Sequence, residues 1–188
     1  SNGAVMVGAS AGYQTKIATG SIFLGSSAGR AATNASYSFF AGSQAGYGAS
    51  AATNSIFFGR YAGSGATDAN DSIIMGYQAG IDSVSASTSI LLGYRAGDNR
   101  CYDVGSIGSG NIIIGYKLTL PPASTNRINI GGVIFGVNAN SSLNPNSAAT
   151  ATGAVSIGIN EPNASAILEL AATDKGLLLP RMTKAQRD

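Results

Sequence analysis

The chain has 188 residues, 44% of them apolar and only 11% charged, and its net charge of +2 comes from scattered groups. That length can bury a core, but no run of Lys or Arg is present to neutralise a line of phosphates, which excludes nucleic acid as a partner. Apolar runs such as Ile112-Ile113-Ile114 fall far short of the ~18 residues that a membrane helix requires, so no span is expected. Histidine and tryptophan are absent and Cys101 is the single cysteine, which removes Ser-His-Asp and Cys-His nucleophile pairs, histidine-based zinc sites and intrachain disulfides.

In chain order, the first and dominant feature is a repeat. Ser21-Ile22-Phe23-Leu24-Gly25 recurs 17 residues later as Ser38-Phe39-Phe40-Ala41-Gly42, and again from Ser55, Ser72 and Ser89. An earlier copy starts at Ala4 and a later, degraded one at Asn111. The chain therefore begins inside the repeat and is expected to continue a longer polypeptide. An Ala-Gly step holds at Ala28-Gly29, Ala45-Gly46, Ala62-Gly63 and Ala79-Gly80, and a later alanine at Ala18, Ala35, Ala52, Ala69 and Ala86. A fixed period of this kind means stacked units, and small residues at fixed positions mark places where backbones approach closely.

A helical solenoid is the first alternative to test, and glycine rules it out. Two glycines per unit would each cost ~1 kcal/mol in a helix, and the apolar positions are consecutive instead of spaced by three and four. The unit suits a short strand, a glycine corner, a second stretch around Ala-Gly and a return turn rich in Ser, Thr, Asn and Asp. The expected fold is all-β: a parallel β-solenoid, or β-roll, of 17-residue coils.

Side chains alternate along a strand, so the middle residue of each apolar triplet faces opposite to its neighbours. Ile22, Leu24 and their equivalents are expected to fill the coil, which leaves the middle column, Met6, Phe23, Phe40, Phe57, Ile74, Leu91 and Ile113, as an apolar ridge outside. A ridge of that length needs cover. The expectation is a parallel homotrimer in which this column forms the interface around a shared axis.

Further along, Tyr77, Tyr94 and Tyr116 share one column after the strand glycine, with Tyr61 beside it. Aligned tyrosines commonly form a stacking ladder or a subunit contact; the functional alternative is a platform for sugars of a surface glycan. The sixth coil then runs 22 residues before the next triplet instead of 17, with Asn99, Arg100, Cys101, Tyr102 and Asp103 in the extra length. An insertion on a regular solenoid bulges outward, making Arg100 and Tyr102 candidate surface contacts, with a tolerated loop as the plainer reading. The Gly105-to-Gly110 stretch lacks the Gly-Lys-Ser/Thr ending of a phosphate loop and precedes a strand. Asp68, Asp71, Asp98 and Asp103 lack calcium-loop spacing and read as solvated turn carboxylates. No catalytic, cofactor or metal residues are expected, and a carbohydrate-active enzyme, which needs clustered carboxylates in a groove, is the weakest of the functional classes.

Terminal strands are expected at Arg127 to Gly131 and Val133 to Phe135, followed by a crossing rich in Asn, Ser, Ala and Thr, and further strands at Val155 to Ile159 and Ile167 to Leu170. Thr183 and Gln186 have capping-box spacing for a starting helix. Seven of the 20 charged side chains lie between Glu169 and Asp188. The division expected is a repeat domain over 1–137, and a linker with a C-terminal connector over 138–188 leading to a further distal module.

The stacked Ser-Ile-x-apolar-Gly-x-x-Ala pattern over roughly 4–126 resembles the head repeats of trimeric autotransporter adhesins, which implies a left-handed β-roll in a three-chain assembly. Gly153-Ala154-Val155-Ser156-Ile157-Gly158, Pro162, Ala166 to Leu170 and Lys175 to Thr183 resemble the connector of bacteriophage tail fibres and related bacterial surface proteins. Together these resemblances imply a structural fibre segment of a phage tail or tail-like particle, part of the virion and outside the cell, that presents a distal tip to a host surface glycan or protein. The alternative implied is the head of a bacterial trimeric cell-surface adhesin.

Overall fold

The computed structural model describes residues 3–98, 100, 107–138, 153–175 and 177. Among these the fold is all-β: a parallel β-solenoid whose strands form one 11-stranded sheet in sequence order. The strands are β1 (Val5–Val7), β2 (Ile22–Leu24), β3 (Phe39–Ala41), β4 (Ile56–Phe58), β5 (Ile73–Met75), β6 (Ile90–Leu92), β7 (Ile112–Ile114), β8 (Ile128–Ile130), β9 (Ile134–Val137), β10 (Ala154–Ile157) and β11 (Leu168–Leu170). Each of β1 to β6 is an apolar triplet of the repeat; β1 to β5 pair in parallel with their equivalents 17 residues on, as Phe40 does with Phe57, and β6 pairs in the same way with β7, 22 residues on. The expected terminal strands are present as β8 and β9, paired antiparallel. β9 then pairs antiparallel with β10, so the sheet continues on both sides of residues 139–152, which lie outside the described residues. The helix expected near Thr183 and Gln186 also lies outside them.

A three-residue strand ends where the backbone turns left-handed. In the coil of β4, positive φ recurs at Gly59 (129°), Tyr61 (61°), Gly63 (60°) and Gly65 (73°). Three tight turns result, with the amides of Ala62, Ser64 and Ala66 donating to the carbonyls of Gly59, Tyr61 and Gly63. The amides between them point to neighbouring coils instead: Tyr61 donates to Ser43 O at 3.0 Å, Gly63 to Ala79 O at 2.9 Å and Gly65 to Tyr47 O at 2.8 Å. The corner thus satisfies its backbone groups between coils, as a sheet would. Gly59 is required sterically as well, because a Cβ there would stand 2.7 Å from the Gly76 carbonyl oxygen of the next coil.

The interior reverses the expected orientation of the strands. Phe23, Phe40, Phe57, Ile74, Leu91 and Ile113 are 0% exposed within the single chain, and Met6 packs against the same core. The middle column therefore fills the coil and has no surface to offer a partner, while the residues flanking it face out. The cause lies across the coil, where the Ala-Gly step and the later alanines form the far wall: Ala45, Ala62, Ala52 and Ala69 are all fully buried. A Cβ at Gly63 would stand 2.5 Å from the Phe57 ring. In the coils of β2 to β4 the space holds one large side chain, not two; in later coils Ile107 and Leu120 join the core. Within it the rings of Phe23, Phe40 and Phe57 stack, with centroids 5.0 and 4.5 Å apart and planes within 10°. Each such burial contributes roughly 1.5–3 kcal/mol.

The serine that opens each unit has a role that its chemistry permits but its position alone does not reveal. Ser55 is buried, and its hydroxyl donates to Ala69 O at 2.7 Å while accepting the Ser72 amide at 3.3 Å. Ser21, Ser38 and Ser72 make the same pair of contacts. A buried ladder of hydroxyls thereby ties each strand start to its own return segment and to the next coil. Asn111 ends it: its amide nitrogen donates to Gly108 O and Ser124 O, and its oxygen accepts the Arg127 amide at 3.0 Å.

Gly63→Val should lower unfolding free energy by about 2–5 kcal/mol through ring overlap and left-handed strain, as measured by chemical denaturation. Gly48→Asn serves as the control: its added Cβ meets nothing within 4 Å, asparagine tolerates its φ, and its cost should stay below ~1 kcal/mol. Ser55→Ala, which strips partners from two buried backbone groups, should cost roughly 1–3 kcal/mol in the same assay.

Candidate interaction surfaces

With the middle column inside, the sheet turns its first and third columns to solvent. Val7 is 58% exposed, Ile56 40% and Phe58 51%. From β1 to β8 every outward position is apolar. Strand alternation predicts two faces but not which one is inside; the signal that could have decided it was the Ala-Gly column, too small to face two large side chains.

Tyr77, Tyr94 and Tyr116 come together as the repeat predicts. Their rings stack at 5.3 and 5.1 Å with interplanar angles of 17° and 15°, and Tyr61 meets Tyr77 edge-on at 6.3 Å. The Arg60 guanidinium lies over Tyr61 at 4.8 Å and the Lys117 ammonium over Tyr116 at 5.3 Å. The ring faces are thus occupied by one another and by these cations, which is a stacking ladder. On another column Arg30 lies between Tyr13 and Tyr47, at 5.5 and 5.8 Å from their centroids.

At the insertion, Asp98 corrects its expected place as a solvated carboxylate. It is buried, pairs with Arg95 Nε at 2.6 Å and accepts the Arg100 amide at 2.9 Å. Arg100 also reaches Asp82 at 3.4 Å, across coils. The buried acid anchors the start of the insertion, and Arg100 ties it to the preceding coil. Cys101, Tyr102 and Asp103 lie outside the described residues. Asp68 accepts from Asn70 and Ser87, and Asp71 from Asn54, as turn carboxylates do. Among the described residues no three His, Cys, Asp or Glu side chains gather as a metal set, and no helix is long and apolar enough to cross a membrane. A final contact, Arg127 Nη1 to Glu161 Oε1 at 2.5 Å, joins the start of β8 to the segment after β10.

These features define a β-solenoid that carries apolar and aromatic columns along its length. Residues 156–188 match a family model described as a phage tail like trimerisation region. The match begins within β10 and includes β11. No curated protein and no solved structure matches the chain. The matched segment and the solenoid together fit a trimeric protein of the tail-fibre kind.

Removing the centre of the tyrosine ladder with Tyr94→Ala should cost about 0.5–1.5 kcal/mol beyond lost burial. The accompanying observation is loss of the coupled tyrosine band in near-ultraviolet circular dichroism.

Proposed function

We propose that this chain is a structural segment of a phage tail fibre or related tail-like particle, assembled as a homotrimer and presenting a distal tip to a host surface. The observation that carries this reading is the match of residues 156–188 to a phage tail like trimerisation region, on strands that continue the solenoid sheet. In this reading 1–137 is shaft and 138–188 the connector towards a distal module. A stack of hydrogen-bonded coils supplies length and stiffness, and the connector holds three chains in register. The role is mechanical: it asks for no catalytic group, and attachment to a host glycan or protein belongs to the tip.

Light scattering on the purified chain should give a mass of three chains, and truncation after residue 155 should shift dissociation to higher protein concentration. A full-length chain that remains monomeric at micromolar concentration would overturn the proposal.

A further inference from the structure

The solenoid closes its own core, yet its outward sheet face remains apolar along the whole stack. At about 4.8 Å per strand, eleven strands make a strip roughly 50 Å long. Monomeric proteins rarely leave a contiguous apolar patch of that size in water. The interior does not behave the same way. After β7 the middle column becomes mixed, with Asn129, Ser156 and Glu169 in register with Phe135, while the outer columns carry Ile130, Ile134, Val155, Ile157, Leu168 and Leu170, with Gly136 at one place. A demand for burial thus persists outside where it has weakened inside. The last of these residues lie within the segment matched to a trimerisation region. The same two columns run from there back to β1 without a polar break.

We infer that the occupant of this face is two further copies of the same chain, and that the first and third strand columns form the seam of the homotrimer along its full length. This rests on the trimeric reading above and assigns its interface. A three-fold axis joins unlike surfaces, so the first column of one chain meets the third column of its neighbour. One layer carries the signature of that pairing. Ala41 is the only small residue in the third column from β1 to β8, and its strand holds Phe39, the only aromatic residue in the first. In a heterologous seam at one level, each Phe39 ring fills the space left by the neighbour's Ala41. Along a solvated face the two would have no reason to compensate.

The experiment combines mass, cross-linking and a swap, all in the full chain with Cys101 replaced by serine. Chains carrying Ile56→Cys are co-expressed with chains carrying Phe58→Cys, oxidised and run on a denaturing gel; covalent dimers are expected in the mixture. A Ser50→Cys chain, with its thiol exposed on the return segment, should give none. Phe39→Ala and Ala41→Phe should each lower the melting midpoint by several degrees, and the double swap should recover most of the loss. A three-chain mass without cross-links or rescue overturns the seam and leaves the trimer standing. A monomeric mass overturns both, and a two-chain mass overturns the three-fold arrangement.

Discussion

The regular coils of β2 to β4 each have room for one large side chain, Phe23, Phe40 or Phe57, and much of the structure follows from that limit. The far wall must be glycine and alanine because a ring lies against it: any Cβ at Gly63 would enter the Phe57 ring. The near wall must present its single middle residue inward, because the flanking pair together would overfill the same space. The stacked rings of Phe23, Phe40 and Phe57 are the result. They keep the coils at the strand spacing that the backbone ladder also demands, so packing and hydrogen bonding reinforce one period.

A core this thin leaves much to the polar chemistry of the backbone. The serine hydroxyls satisfy a carbonyl of their own coil and an amide of the next, in a buried place where an unpaired group would be costly. Asn111, with one donor end and one acceptor end, takes the place of the serine and holds the next coil at Ser124 and Arg127. Asp98 does comparable work at the start of the insertion as a buried acid held by Arg95. These polar side chains fasten one coil to the next.

The outward face links this architecture to a fibre. A solenoid whose interior is complete can still be an incomplete body when one of its faces is an apolar sheet. The continuity of that sheet from β1 to β11 means that whatever order the C-terminal segment imposes on three chains is carried into the repeats by backbone hydrogen bonds. The tyrosine ladder and its flanking cations lie outside the coil core and add lateral contacts between successive coils.

Much of the fold was legible in residues alone. The 17-residue register, the glycine corners and the apolar triplets determined an all-β solenoid with strands at Ile22, Phe39, Ile56, Ile73 and Ile90, because backbone turns and strand period are local properties. The strands β8 to β11 were equally visible, though not their pairing. The direction in which each triplet points was not, since alternation is symmetric between its two faces and three consecutive apolar residues satisfy either. Tertiary structure decided it, by setting Phe57 against Gly63 and leaving Ile56 and Phe58 outside. The burial of Asp98 was likewise undecided by its neighbours in sequence, because it depends on how the coils above and below close over it.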